Sequence, residues 1–314
     1  MRWGDFRRSD NVEDRTGGAP EGSGGGEGGG LPFGGMRLGG GALILIVIVG
    51  WLFGINPIEM LGLLSGGSGG GPATQSSAPA PGYGPQTGAA TGGAAPAAHS
   101  TGETNKDFSA RVLGDTEDVW SAVFKAMGSR YEPPKLVLFR GSTPSACGRA
   151  EAAVGPFYCP GDRDVYLDTT FFSELHTRFG APGDFAQAYV IAHEVGHHVQ
   201  NLLGTMRQFD AQAQRSDRRT ANALSVRLEL QADCYAGIWA FFAERRGLID
   251  TADVDSGLQA AAAVGDDRIQ KMTRGYVAPD SFTHGSSAQR AHWFKTGLQS
   301  GDVRDCNSFA ARTP

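Results

Sequence analysis

Hydrophobic and polar positions follow clear periods only in the last two thirds of the chain. From residue 106 onward, apolar side chains recur every three or four positions in several stretches, a spacing typical of amphipathic helices. Two short apolar runs, 136–139 and 165–168, are bounded by Pro- and Gly-containing segments and are predicted to be strands. The predicted helices span 109–127, 171–179, 184–204, 217–245, 252–272 and 286–298. This pattern predicts one α+β domain over 106–314, mainly helical, with a small antiparallel sheet.

The first 105 residues lack such periods and hold 29 of the 47 glycines. Outside one apolar run, they cannot bury enough apolar surface to offset the entropy that is lost on folding. We therefore expect a disordered, Gly-rich cytoplasmic tail over 1–37. We also expect a flexible linker, rich in Gly, Pro and Ala, over 59–105.

The apolar run over 38–58 carries no charged residue. As a helix it would be ~30 Å long, which is about the thickness of the hydrocarbon core of a membrane. A cleaved signal peptide is the alternative, but the segment before the run is long and no small-residue cleavage pattern follows it. All basic residues of the first third precede the run, and the next is Lys106, which favours a cytoplasmic N-terminus. We predict a single-pass cell-membrane protein whose C-terminal domain is extracytoplasmic.

Charge and cysteine content narrow the possible partners. The formal net charge of -5 and the lack of a basic stripe in the sequence disfavour nucleic acid. The C-terminal domain contains four cysteines, Cys147, Cys159, Cys234 and Cys306. An even number in an exported domain predicts two disulfides. Three pairings are possible, of which 147–159 with 234–306 is the most local, and a cysteine-based zinc site is disfavoured because no C-x-x-C pair occurs.

The predicted helix 184–204 contains the run His193-Glu194-Val195-Gly196-His197. Residues four apart lie on one face of a helix, so both imidazoles can bind the same Zn²⁺. Glu194 lies between them, where it can accept a proton from the metal-bound water. The alternative is that His193 and His197 are ordinary half-buried helix histidines. The motif therefore predicts a catalytic zinc site with one ion per chain.

A catalytic zinc site needs a third protein ligand. The extended motif with a third histidine is excluded, because Gln200 and Leu203 stand at the positions that would require Gly and His. The next predicted helix offers Glu229 and Asp233, which are four apart and share a face. We expect Glu229 to bind the metal and Asp233 to accept the outer N–H of a ligand histidine. The alternatives are a solvated acid at 229 and a surface acid at 233, and the adjacent His198 is expected to be structural.

These motifs resemble those of the bacterial putative neutral zinc metallopeptidase family over about residues 106–310. The matching runs are Gly155-Pro-Phe-Tyr-Cys-Pro160, Val165-Tyr-Leu-Asp168, His193-Glu-Val-Gly-His-His198, Arg227-Leu-Glu-Leu-Gln-Ala-Asp-Cys-Tyr-Ala-Gly237 and Thr283-His-Gly-Ser-Ser-Ala-Gln-Arg290. The resemblance implies a zincin-like fold of the gluzincin type. It also implies His193, His197 and Glu229 as zinc ligands and Glu194 as the catalytic base.

The run from His284 to Arg290 has the spacing of a His…Arg motif in the CAAX prenyl endopeptidase family, with Gly285 where that motif has Pro. This looser resemblance implies that both residues face the substrate or the oxyanion, where a donor and a fixed cation stabilise negative charge. Tyr235 is a further candidate for the same role. The alternative is a helix-capping loop followed by a core-facing Arg290.

Taken with the anchor, these residues predict a membrane-anchored, zinc-dependent endopeptidase that cleaves extracytoplasmic proteins or peptides. The predicted strand 165–168 is the candidate edge along which an extended peptide would pair. The alternative is a catalytically idle, zinc-fold binding module. Glu194 disfavours that alternative, because the residue contributes little to metal binding and is nevertheless present.

Overall fold

The computed structural model describes residues 1–17, 103–152 and 155–312. The helices in these ranges are α1 (Glu103–Ala126), α2 (Phe171–Thr177), α3 (Asp184–Leu202), α4 (Thr205–Ala213), α5 (Arg218–Arg245), α6 (Thr251–Ala263), α7 (Asp266–Arg274) and α8 (Ser287–Ser300). The strands are β1 (Val12–Asp14), β2 (Lys135–Phe139), β3 (Ser142–Ser145), β4 (Gly148–Glu151), β5 (Phe157–Cys159) and β6 (Asp164–Asp168). The described part of the chain is therefore mainly helical with a small sheet, as predicted.

The sheet is mixed, so the prediction of an antiparallel sheet is wrong. Its strand order is β1-β2-β6-β5; β1 and β6 run parallel to β2, and only β5 is antiparallel to its neighbour. The chain between β2 and β6 forms the separate β3–β4 hairpin and then β5, and β6 returns parallel to β2. Because β6 lies between β2 and β5, it has no free edge. The prediction that 165–168 is an edge strand is therefore wrong, and the edge strand is β5.

Residues 1–17 fold against the helical domain, so the prediction of a disordered tail over 1–37 is wrong for this segment. Val12 pairs with Leu136 in the sheet, and Phe6 lies in the hydrophobic core. The buried carboxylate of Glu117 accepts hydrogen bonds from Arg7 at 2.6 Å and Asn11 at 2.8 Å. Composition averaged over 105 residues does not reveal this segment, because polar contacts as well as apolar burial hold it in place.

The predicted membrane span 38–58 and almost all of the predicted linker lie outside the described residues. None of the helices that the structure describes is long and apolar enough to cross a membrane. A strand that pairs with β2 must lie on the same side of any membrane as β2. The predicted arrangement, with the N-terminus and the C-terminal domain on opposite sides, is therefore incompatible with this fold.

Helices α3, α5 and α8 form the centre of the fold. Gly237 of α5 and Gly297 of α8 let the two backbones approach so closely that a Cβ at either position would overlap backbone atoms of the other helix. The disulfide Cys234–Cys306 joins α5 to the turn that follows α8, and Cys147–Cys159 joins the β3–β4 hairpin to β5. Both disulfides of the most local predicted pairing are therefore present.

One predicted helix is divided and another was missed. The prediction of a single helix over 252–272 is wrong, because the chain breaks between α6 and α7. At the break, Gly265 packs against the backbone of Ser287, which leaves no space for a side chain. The short helix α4 was not predicted; it begins directly after Gly204, whose φ of 80° ends α3.

Candidate metal centre

Helices α3 and α5 bring the three predicted metal ligands together. His193 Nε2 lies 3.2 Å from Glu229 Oε2, and His197 Nε2 lies 3.5 Å from Glu229 Oε1. Ligands about 2.0–2.2 Å from a tetrahedral zinc ion are about 3.3–3.6 Å from one another. All three side chains are buried, and within the described residues they form the group of His, Cys, Asp and Glu donors that can hold a metal ion. With one donor atom taken from each residue, all three atoms lie within 4.8 Å of one another, and two imidazoles with one carboxylate are a zinc donor set.

The approach of the two helices depends on Gly196, which lies between the two histidines of the motif. A Cβ at this position would be 2.9 Å from the carbonyl oxygen of Ala232 on α5. Glu229 lies three residues before Ala232, nearly one helical turn away. The glycine inside the motif thus sets the distance between the histidines and the third ligand.

Each histidine is oriented by a hydrogen bond from its other ring nitrogen. His193 Nδ1 donates to Asp233 Oδ1 at 2.9 Å, because a carboxylate can only accept. His197 Nδ1 lies 2.9 Å from Gln200 Oε1, and the amide nitrogen of Gln200 donates to the Leu228 carbonyl at 2.7 Å. Both Nε2 atoms are left to face Glu229, as metal ligation requires. Sequence reasoning missed the role of Gln200, although its spacing from His197, one helical turn, was visible.

Arg290 lies in the site and is paired with Asp233. Its Nε donates to Asp233 Oδ2 at 2.9 Å and its Nη2 to Oδ1 at 3.0 Å, and Tyr189 also hydrogen-bonds this carboxylate. Burial alone would raise the pKa of Asp233, but Arg290 and His193 hold it below its usual range. Arg290 therefore serves first as the partner of Asp233, which in turn orients His193. Tyr235 packs against Trp120 with ring centroids 5.4 Å apart and does not line the cleft.

Glu194 lines the cleft beside the metal ligands and is 7% exposed. Burial raises the pKa of its carboxyl group, and the neighbouring His193 and His197 offset part of that rise. A carboxylate whose pKa is raised towards neutrality is a better proton acceptor than an exposed glutamate. Glu229 differs, because His197 and His284 outweigh its burial and hold its pKa well below the usual value. Glu194 therefore has the properties of a base, and Glu229 has those of a permanently charged ligand.

His284 lies in the same cleft and is held by Asp266, a residue that sequence reasoning missed. Asp266 Oδ2 accepts hydrogen bonds from the backbone N–H groups of Thr283 and His284, each at 2.7 Å. Its Oδ1 lies 3.4 Å from His284 Nδ1. Burial would lower the pKa of His284, but Glu229 and Asp266 outweigh it and raise the pKa. The expected helix-capping loop is also present, with a capping box at Ser286, so the loop both caps α8 and presents His284.

The neighbouring His198 is structural, as predicted. Its Nε2 donates to the Glu132 carbonyl at 2.6 Å, and its Nδ1 accepts from the hydroxyl of Tyr158 at 3.1 Å. Burial lowers the pKa of this ring to about 4, so it is neutral at physiological pH. Since Tyr158 belongs to β5, the contact fixes the edge strand against α3.

Comparisons with known proteins agree with this centre. A family model described as putative neutral zinc metallopeptidase matches residues 1–309, and the chain belongs to that family. It is 43% identical over 309 residues to "Uncharacterized protein YpfJ" of Escherichia coli (strain K12), which covers 98% of this chain and 99% of the relative. It is 46% identical over 220 residues to "Uncharacterized protein Rv2575" of Mycobacterium tuberculosis (strain ATCC 25618 / H37Rv), which covers 67% and 73%. No solved structure matches the chain. The family match includes the N-terminal segment that carries β1.

Proposed function

We propose that the chain is a zinc-dependent endopeptidase with a zincin-like centre of the gluzincin type. The proposal depends above all on one observation: the donor atoms of His193, His197 and Glu229 converge in a cleft whose wall carries Glu194. Zinc, when bound by these three side chains, polarises a carbonyl group and lowers the pKa of water. One ion per chain satisfies the donor set.

The roles of the protein groups follow from their positions. Glu194 accepts a proton from the attacking water and later donates it to the leaving amine, for which its raised pKa is suited. His284 donates a hydrogen bond to the negative charge that develops on the substrate carbonyl oxygen, and Asp266 fixes its ring. Asp233, held by Arg290, keeps His193 in the orientation for ligation.

The substrate backbone lies along β5. Phe157 and Tyr158 of this strand line the same cleft as the metal ligands. An extended peptide can add to a free strand edge through main-chain hydrogen bonds, which give affinity without a requirement for particular side chains. Cys147 and Arg149 of the β3–β4 hairpin line the same cleft, and a disulfide joins Cys147 to Cys159 of β5.

The decisive variant is Glu194→Gln, measured on a broad peptide library with the zinc content determined by elemental analysis. We expect cleavage to fall by about 10²–10⁴-fold, the usual contribution of a general base, while zinc stays at about one ion per chain. Glu244→Gln, an exposed acid on α5, is the matched control and should leave cleavage unchanged. Unchanged cleavage by the Glu194 variant contradicts the proposal. Zinc binding without cleavage by the unmodified protein favours the idle binding module instead.

We also propose that the domain is extracytoplasmic, which the two disulfides support because such bonds persist in oxidising compartments. Attachment to the membrane through 38–58 belongs to the same proposal, without a crossing, because a single crossing would place β1 and β2 on opposite sides. The exposed residues Asp10 and Ser129 can be changed to cysteine and labelled in intact cells with a membrane-impermeant thiol reagent. Both should be labelled. Labelling of one alone contradicts the shared side, and labelling of neither contradicts the extracytoplasmic location.

A further inference from the structure

The cleft that holds the metal ligands and Glu194 also has a wall of apolar side chains, four of them buried and one, Val264, half-buried. Val190 lies on α3, four residues before Glu194, so the two side chains share one face of the helix. The wall comprises Phe171, Phe179, Val190, Val264 and Ile269, contributed by α2 and the segment after it, by α3, by the α6–α7 junction and by α7. These five residues are called the apolar wall below.

Two hydrogen bonds to backbone carbonyls fix the apolar wall in place. Arg268 of α7 donates to the carbonyl of Phe179 at 2.8 Å, which joins α7 to the end of α2. Arg290 Nη1 donates to the carbonyl of Val264 at 3.2 Å. The guanidinium that holds Asp233 therefore also holds this part of the wall, so the pocket and the metal centre form one preorganised unit.

The size and the chemistry of the cleft select one kind of group. The whole cleft, including the metal ligands, has a cavity volume of about 150 Å³. An engineered cavity of about this volume, lined by Leu, Ile and Phe, binds benzene, so the cleft has room for no more than one ring-sized or branched apolar side chain. A carboxylate placed against the apolar wall would lose its hydration, and Arg290, whose Nη1 contacts the wall at Val264, is already paired with Asp233, so this placement is unfavourable.

We propose that the apolar wall is the specificity pocket of the peptidase and binds one large apolar side chain of the substrate, next to the scissile bond. The pocket adjoins Glu194 and the three metal ligands, so a side chain in it belongs to a residue that flanks the reacting carbonyl. The proposal rests on the proposed peptidase function and adds the substrate class to it. Val190 and Ile269 are its specificity-determining residues.

The first test uses a peptide series in one fixed background, with Phe, Leu, Ala or Asp at the varied position on each side of the cleavage site. At one of the two positions we expect kcat/KM for Phe and Leu to exceed that for Ala by about 10–100-fold, and Asp to be cleaved least. Equal rates for all four peptides at both positions would overturn the proposed specificity pocket but not the proposed peptidase function.

A binding measurement separates failure of the pocket from failure of the peptidase function. Metal-stripped full-length protein is titrated with N-acetylphenylalanine amide and with N-acetylalanine amide in a calorimeter. We expect the phenylalanine compound to bind at least tenfold more tightly, with a negative heat-capacity change. If no peptide is cleaved but this preference is observed, the pocket stands and the peptidase function fails. Equal affinity for the two compounds overturns the pocket.

Variants of the wall provide the second test. Val190→Phe fills the pocket and should reverse the preference from Phe towards Ala, whereas Val190→Ala and Ile269→Ala enlarge it and should favour Trp. Val123→Phe is the matched control, since Val123 is half-buried on α1 and does not line the cleft. If Val190→Phe fails to fold, the two enlarging variants still decide the question. A preference that stays the same in every folded variant overturns the proposal.

Discussion

Gly196→Ala tests whether the glycine inside the zinc motif sets the geometry of the metal centre. The new Cβ would lie 2.9 Å from the Ala232 carbonyl oxygen and 3.2 Å from the Ala232 Cα. Carbon and oxygen atoms in contact are normally about 3.3–3.6 Å apart, so α3 and α5 must separate by about 0.5 Å. The backbone of Ala232 cannot rotate away as a flexible side chain could. The shift is therefore transmitted to Glu229 on the same helix.

A displacement of this size exceeds what metal ligation tolerates, which is about 0.2 Å in each ligand distance. We expect the zinc affinity of Gly196→Ala to fall by about 10–100-fold, the range seen when groups that orient metal ligands are removed. The effect on folding should be smaller. Alanine gains about 1 kcal/mol in helix propensity, while overpacking costs about 1–3 kcal/mol, so the unfolding free energy falls by about 0–2 kcal/mol.

The zinc affinity is measured by competition with a chromophoric chelator, and the unfolding free energy by urea denaturation of the metal-stripped protein. Gly4→Ala serves as the control, because a Cβ at Gly4 would meet no atom within 4 Å. It should change neither quantity by a measurable amount. A Gly196→Ala protein that binds zinc within twofold of the unmodified protein, and is about 1 kcal/mol more stable, would refute the reasoning.

Three further predictions concern the surroundings of the site. Asp266→Asn should loosen the ring of His284 and lower kcat by up to about 10²-fold, with KM and zinc content unchanged. Steady-state kinetics and elemental analysis measure these quantities. A rise in KM with kcat unchanged would contradict a role in the transition state. His198 has a pKa of about 4 in the folded protein against about 6.5 when unfolded, so the unfolded state binds more protons. The unfolding free energy should fall by about 3 kcal/mol as the pH drops from about 6.5 to about 4, and His198→Gln should flatten this dependence in urea titrations; an unaltered slope would exclude His198 as the cause. Replacing Cys147 and Cys159 together by serine should lower the unfolding free energy by about 3 kcal/mol and raise KM, because the hairpin is less restrained. A variant with unchanged stability and unchanged KM would show that the disulfide contributes to neither quantity.

The spacing of residues along single helices predicted the centre of the site well. His193 and His197 are four apart, as are Glu229 and Asp233, and a helix converts such spacings into shared faces. The sequence could not show which face of α5 meets α3. That contact depends on the close packing at Gly196, which is a property of two helices together.

Groups that join distant segments were harder to predict. Asp266 holds His284 from the start of another helix, and Arg290 contacts Asp233 across 57 positions of the sequence. Such contacts follow from the packing of α5, α7 and α8, and no local period encodes them. The edge position of β5 is similar, because strand order depends on pairing partners that the pattern of one strand does not reveal.

Strand β1 bears on how the protein reaches its folded state. Val12 pairs with Leu136, so β1 leaves the ribosome before its partner, which is made 124 residues later. At about 5–20 residues per second, this delay is roughly 6–25 s. Without β1, strand β2, with the sequence Lys-Leu-Val-Leu-Phe, would present an apolar open edge to other chains, and open edges of this kind promote aggregation. Residues 1–17 therefore act as a built-in cover for that edge, and versions of the protein that begin after this segment should be soluble only at low concentration.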